Sequence, residues 1–371
     1  MIYFDNAATT YPKPESVYKA IDYGMRNFAF NSGRGMYDAS YKTFNMIKET
    51  REKLGSVVGL DGDNVVFTGS ATESLNAIIR GLNICKGDSV LVSPFDHNAI
   101  VRTVYGTGAE IIQIPFDKET WRIDEQKLNN ILVMKKPKAI VISHISNVTG
   151  FELPYVDIFR IGKKYKTINV LDSAQGFGIY NINKENVDFV VFAGHKSLYA
   201  MAGIAGYINT GNVELDIYKF GGTGSDSLNL NMPESVPMRY EAGSSNAVGI
   251  YSINAAIDYL KSDNYSKKEE DLTEYLITRL KELNNVKIYL PDGYIPKGIV
   301  SINIEGYKAE EVGEILSNEY NICLRTGFHC APYVHDFIGS RMQSGTVRIS
   351  LGIFNTMEEI DALVKALGEI L

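Results

Sequence analysis

The chain has 371 residues, 45% of them hydrophobic and 22% charged, with a formal net charge of −7. That much apolar material excludes a disordered chain, and the length suits two or three domains, or one large α/β unit with a smaller partner. The acidic balance argues against non-specific binding to nucleic acid or to an anionic membrane, both of which favour a basic face.

The opening stretch, MIYFDNAATTYPKP, has no basic segment followed by an apolar one, so it does not read as a secretory signal; the cytoplasm is the expected compartment. No run of about 18 uncharged apolar residues is present, so no membrane-spanning helix is predicted. Cys85, Cys323 and Cys330 are too few and too scattered for a disulfide framework, and neither CxxC nor HExxH spacing points to a metal.

Periodicity predicts amphipathic helices over 17–28 and 40–58, a short buried strand over 64–68 and a helix over 71–82. Apolar runs at 89–93, 110–114, 139–143, 169–172 and 189–193 read as further strands, with helices over 124–134 and 154–165 among them. This alternation predicts an α/β fold with a largely parallel sheet and helices on both faces. Ligands of such sheets sit at the carboxyl ends of the strands, so the informative loops follow each strand. Residues 219–245, rich in Gly, Ser, Asn and Pro, read as a functional irregular loop. Beyond it come helices over 246–260 and 267–283, strands over 286–290 and 298–304, a helix over 310–316, strands over 322–324 and 346–350, and a last helix over 357–370.

Polar groups follow the strands in a telling order. Gly69-Ser70-Ala71-Thr72-Glu73 opens a helix, where small residues and the helix terminus can receive an anion; the same residues also make an ordinary cap. Asp96-His97 and His144-Ile-Ser-Asn147 follow the next strands. Asp172-Ser-Ala-Gln175 puts a carboxylate at the end of an apolar strand, where it needs a cation or donors unless it is simply a cap. His195-Lys196 follows another strand, and a partly desolvated lysine there can form a Schiff base. Singly, each has an ordinary structural explanation. Together, a phosphate cup, an aspartate for a ring nitrogen and a lysine for an aldehyde describe a pyridoxal phosphate site.

The chain resembles the class V aminotransferase-type, fold-type I pyridoxal phosphate enzymes, specifically cysteine desulfurases. The matching pieces run nearly end to end: Tyr3-Phe-Asp-Asn-Ala-Ala8, Phe67-Thr-Gly-Ser-Ala-Thr-Glu73, Asp96-His97, Ser143-His-Ile-Ser-Asn147, Asp172-Ser-Ala-Gln175, Gly194-His-Lys196, Arg239-Tyr-Glu-Ala-Gly-Ser244, Arg325-Thr-Gly-Phe-His-Cys-Ala331 and Val347-Arg-Ile-Ser350. The R-x-G-x-H-C-A form is similar to the SUF-type branch, which includes selenocysteine lyases. Ala193, where such enzymes usually have Ser, Phe328, where they usually have His, and the Gly69-Ser70 order depart from the pattern.

The resemblance implies a seven-stranded, mainly parallel sheet in a large domain (14–248) and a smaller C-terminal α/β domain (249–371, joined by 1–13). It implies that Lys196 holds pyridoxal 5'-phosphate as a Schiff base, that Asp172 pairs with the ring nitrogen and Gln175 with the ring hydroxyl, and that His97 stacks on the ring and shuttles protons. Ala71, Thr72 and His195 would hold the phosphate. Ser244 would reach the phosphate of a neighbouring subunit, which implies a homodimer. Asn147 and Arg348, with Arg325 nearby, would grip the substrate carboxylate. Cys330, flanked by cations that favour a thiolate, would accept sulfur from L-cysteine and pass it to an acceptor protein, whereas Cys85 and Cys323 read as small buried hydrophobes. L-Selenocysteine as substrate, transamination on the same site, and a scaffold with a vestigial site are the alternatives.

Overall fold

The computed structural model describes residues 1–33, 35–224 and 228–370. Along the chain run β1 (Ile2–Tyr3), α1 (Glu15–Asn27), α2 (Asp38–Val57), β2 (Val65–Thr68), α3 (Ala71–Gly81), β3 (Ser89–Val92), α4 (Asn98–Tyr105), β4 (Glu110–Gln113), α5 (Glu125–Lys135), β5 (Ala139–Ser143), α6 (Tyr155–Lys163), β6 (Ile168–Asp172), β7 (Phe189–Ala193) and β8 (Ala205–Asn209). After the irregular stretch come α7 (Ala247–Leu260), α8 (Tyr265–Leu280), β9 (Val286–Ile288), β10 (Ile299–Ile304), α9 (Ala309–Tyr320), β11 (Ile322–Cys323), β12 (Arg325–Gly327), α10 (Val334–Phe337), β13 (Thr346–Ser350) and α11 (Met357–Ile370).

Seven strands form one sheet in the order β2-β8-β7-β6-β5-β3-β4. The five from β7 to β4 are parallel, and β8 runs antiparallel to both β7 and β2. The continuous apolar runs arise because the inner strands are covered on both faces. Ile140, Ile142, Val190 and Phe192 point into a core shared with α6 and α7, whereas Ala139, Val141, Phe189 and Val191 point into a second core under α3 and α4. β4, at the edge, is the least buried of the parallel strands.

A smaller antiparallel sheet, β12-β13-β10-β9, packs with α8, α9 and α11 around Leu276, Val312, Leu316, Val347, Ile349 and Leu363. The N-terminal segment joins this block: β1 pairs in parallel with β11, and Phe4 is fully buried in the same core. The division expected at 248/249 falls inside α7, whose buried Ile250, Ile253 and Ile257 belong to the core of the seven-stranded sheet. No helix among the described residues is long and apolar enough to cross a membrane.

The turn at 145–152 joins the two blocks. Its Gly150 has φ 67°, and a Cβ there would run into the Ile299 carbonyl. The Gly150 carbonyl accepts from Lys297 N at 2.8 Å, and the Val148 carbonyl accepts from the Ser301 hydroxyl at 2.6 Å.

Candidate active site

Because β2 runs in the same direction as β3, β5, β6 and β7, all five strands deliver their following loops to one edge of the sheet. Gly69–Glu73, Asp96-His97, His144–Asn147, Asp172–Gln175 and His195-Lys196 therefore share that edge. Asp96 fixes its spacing: one carboxylate oxygen accepts from Ser93 N at 2.6 Å and the other from Ser143 N at 2.8 Å, clamping the ends of β3 and β5 together. Burial pushes the Asp96 carboxyl up to about 7.

Lys196, in the loop after β7, is half-buried. Burial is the main cause holding its ammonium below the usual lysine range; Arg348 and Arg325 act with it, while Asp172 and Cys330 oppose it. These charges are thus gathered around one amine. Asp172 is 6% exposed, and burial raises its carboxyl, with Lys196 and the Ala174 N–H opposing. Its Oδ1 accepts from Ala174 N at 3.1 Å, and among the described residues Oδ2 has no hydrogen-bond partner.

His97 caps α4, its Nδ1 accepting from Ala99 N at 3.0 Å, which leaves the proton of the neutral ring on Nε2. Burial, helped by Lys196 and Arg348, lowers it to about 4. His195 is also lowered to about 4, by burial and then by Lys196 and Lys13. Its carbonyl accepts from Thr10 N at 3.0 Å and from the hydroxyls of Thr9 and Thr10 at 3.2 Å, so the N-terminal segment braces the residue before Lys196. Gln175 donates to the Ala7 carbonyl at 2.9 Å from the same side.

The second wall comes from the smaller sheet. Arg325 on β12 stands directly opposite Arg348 on β13. Arg348 is 2% exposed; its Nη1 donates to the Asn147 carbonyl at 2.9 Å, its Nη2 to Asp5 Oδ1 at 2.7 Å, and its Nε is buried without a partner. Arg325 Nη2 pairs with the other Asp5 oxygen at 3.0 Å. The Asn147 side-chain amide donates to the His329 carbonyl at 2.7 Å, so it braces the loop after β12, and its Oδ1 is left buried without a partner.

That loop carries Cys330, whose side chain is exposed. His329 and Cys330 both adopt the left-handed region, at φ 47° and 55°, a conformation costing non-glycine residues about 1 kcal/mol or more each. Neighbouring bonds over-determine it: Asn147 holds the His329 carbonyl, Asn98 N donates to the Cys330 carbonyl at 2.7 Å, and the His329 Nε2 donates to the Thr346 carbonyl at 3.0 Å.

At the far end of the edge, Ser70 caps α3 by accepting from Glu73 N at 3.1 Å, while Glu73 accepts from Gly69 N at 2.8 Å. The cap and the anion cup coexist, because Ala71 and Thr72 keep backbone N–H groups that no residue of the chain uses among the described residues. No hydrogen bond joins Ala71 or Thr72 to Lys196 there. Ser244 is exposed, on the rim of a cavity of about 250 Å³ shared with Gly69, Glu73 and Tyr207, at the end of a stretch whose residues 225–227 lie outside the described ones.

Asp5, Lys13, Asp96 and Asn98 are the site residues that sequence reasoning left without roles. Asp5 and Asp96 stood in quoted motifs, and each follows a strand, the signal used for Asp172. Cys85 was expected to be buried and is exposed: it lies in the turn before β3, its N–H and thiol facing Asp88. Cys323 is half-buried on β11.

Residues 2–363 match the family model described as aminotransferase class-V. A probable cysteine desulfurase of Methanothermobacter thermautotrophicus is 28% identical over 381 residues, covering 100% of this chain and 94% of that protein. One of Chlamydia trachomatis is 31% identical over 388 residues, covering 100% and 94%. The apo structure of the cysteine desulfurase from Thermococcus onnurineus superposes with a TM-score of 0.90 at 28% identity, covering 100% of this chain and 94% of that one.

Proposed function

We propose that this chain, which belongs to the class V aminotransferase family, is a pyridoxal-phosphate-dependent cysteine desulfurase that converts L-cysteine to L-alanine and carries the sulfur as a persulfide on Cys330. The observation that carries the reading is the placement of an exposed thiol, Cys330, within the electrostatic reach of Lys196 and Arg348.

The residues fit the cofactor. A buried carboxylate with an unpartnered oxygen, Asp172, is matched by a protonated ring nitrogen. Lys196 is an amine disposed to lose its proton. In this reading Asp172 and Gln175 hold the ring, His97 covers it, and Ala71, Thr72 and His195 receive the phosphate at a helix terminus. When bound, the cofactor supplies an electron sink for negative charge at the substrate Cα.

The chain's own residues do the rest. Arg348 and Arg325, with Asn147, receive the substrate carboxylate and orient it. Lys196, its ammonium destabilised by burial, takes the Cα proton at Nζ. The Cys330 thiolate attacks the substrate sulfur. A sulfur–sulfur bond forms, the Cβ–S bond breaks with its electron pair on Cβ, Cβ takes a proton, and Lys196 returns its proton to Cα to complete L-alanine. In this reading His97, neutral with its proton on Nε2, delivers the proton to Cβ. The exposed position of Cys330 suits delivery of the persulfide sulfur to an acceptor protein.

The reading includes a homodimer. Tyr18, Tyr23, Phe30, Tyr41 and Phe44, on and between α1 and α2, are all more than 40% exposed, apolar surface that a second copy would cover. Sedimentation equilibrium of the purified protein decides between one and two copies.

The experiment for the reaction is mass spectrometry of the cofactor-loaded protein after L-cysteine without reductant, beside alanine quantitation. A gain of about 32 Da, the mass of one sulfur atom, on the peptide holding Cys330, with matching alanine, is expected. Conversion of the cofactor to its amine form without alanine would move the assignment to transamination.

A further inference from the structure

Asp5 reaches two guanidinium groups at once: Oδ1 lies 2.7 Å from Arg348 Nη2 and Oδ2 lies 3.0 Å from Arg325 Nη2. The two arginines face each other across β12 and β13, a pairing of like charges that is destabilising without a counter-ion. Asp5 is that counter-ion for both. Its main chain is fixed, its carbonyl accepting from Ala8 N at 3.1 Å and the chain there bridging to Ser350, so only the side chain has freedom to move. The two partners are unequal. The Arg348 side chain is 2% exposed and tied to the Asn147 carbonyl, whereas the Arg325 side chain is 48% exposed.

We propose that Asp5 is an internal carboxylate that competes with the substrate's carboxylate for Arg325 and Arg348, and so sets how tightly the site holds an amino acid. The inference rests on the reading above that these arginines receive that carboxylate. A carboxylate bridging two guanidinium groups is the arrangement an amino acid would make there. An incoming amino acid displaces Asp5 first from Arg325, the exposed half of the bridge, and then from Arg348, which the Asn147 carbonyl keeps in position to receive the second carboxylate oxygen. The residue acts by weakening ground-state binding, which keeps the product, itself a carboxylate of the same kind, from remaining in the site.

The test is titration of L-alanine into the cofactor-loaded Asp5→Asn variant, read by the change in cofactor absorbance, with thermal melting alongside. Asp5→Ala serves in its place where the asparagine variant does not load. L-Alaninol, which has the amine but no carboxylate, is the control. The expected result is L-alanine bound about tenfold more tightly than by the unaltered protein, the effect of freeing one partly buried charge pair, with L-alaninol unchanged and a lowered KM for the substrate. Unchanged or weaker L-alanine binding by a folded variant overturns the role of Asp5. Absence of any response to L-alanine in the unaltered protein overturns the amino-acid reading of the site itself.

Discussion

The backbone N–H of Asn98 donates to the carbonyl oxygen of Cys330 at 2.7 Å, so the residue after His97 holds the residue proposed to accept sulfur. Asn98 is the first residue of α4, the one helical position where proline is at home, and His97 already has the extended conformation, ψ 154°, that proline requires of its predecessor. Asn98→Pro therefore removes the tether without removing the helix. The variant is expected to melt within a few degrees of the parent and to bind L-cysteine with an unchanged spectral response, while persulfide formation on Cys330 slows by about ten- to a hundredfold, the cost of a small misplacement of a reacting group. Rapid-quench mass spectrometry reads that rate. An unchanged rate would mean that the left-handed loop holds Cys330 by its other bonds alone.

The two arginines are expected to respond differently to loss of their planar fork. Arg348→Lys removes a buried guanidinium bonded to both Asn147 and Asp5, and a lysine cannot make both contacts in that geometry. KM for L-cysteine should rise by about a hundredfold with a smaller change in kcat. Arg325→Lys, at an exposed position, should raise KM by about tenfold or less. Steady-state kinetics on both variants checks the order, and equal effects would place the substrate carboxylate nearer Arg325.

Glu241 looks from the sequence like part of a functional motif, and the structure gives it a structural task. Its carboxylate takes both Arg51 Nη1 at 2.8 Å and Nη2 at 2.6 Å, and also accepts from Phe67 N at 2.6 Å. This pins the segment ending at Ser244 to α2 and β2. Glu241→Ala leaves Arg51 largely buried and uncompensated, and should cost about 3 kcal/mol in denaturant unfolding. Removing Arg51 as well should cost less than the two single changes added together, because the stranded charge goes with it.

Much of the large sheet is legible because its inner strands are buried on both faces and so appear as plain apolar runs, such as FVVFA in β7. The loops after them could then be read for chemistry, and Lys196, Asp172, His97 and Arg348 do converge. The missed elements have local causes. In β8, Gly206 interrupts the run, and it is required there because a Cβ would strike the Phe192 ring and the Val66 carbonyl. In α4 the stretch NAIVRTVY is rich in β-branched residues, and the cap from His97 together with packing on the sheet makes it helical. The bridge from Asp5 to Arg348 joins residues 343 apart and depends on how the N-terminal segment lies along β13, where Asp5 bridges to Ser350, which no local pattern encodes.

Glu269 gives a pH test of the fold that does not involve the site. It is 7% exposed on α8 and accepts from the Tyr180 hydroxyl at 2.9 Å. Burial raises its carboxyl to about 7, against an ordinary value of about 4.5. Between those values the folded chain holds a proton that the unfolded chain has lost, so the parent loses stability as pH rises through the window, by about 1.4 kcal/mol per unit at most. Glutamine keeps an acceptor for Tyr180 and has no charge to bury. The stability of Glu269→Gln relative to the parent should therefore improve by about 2–3 kcal/mol between pH 5 and pH 8. Asp96, also raised to about 7, and His97 and His195, both lowered to about 4, are present in both proteins, so their contributions cancel in the difference. Denaturant unfolding of the two proteins at both pH values measures it. A difference that does not change with pH would mean that the Glu269 carboxylate is solvated or paired in the folded chain.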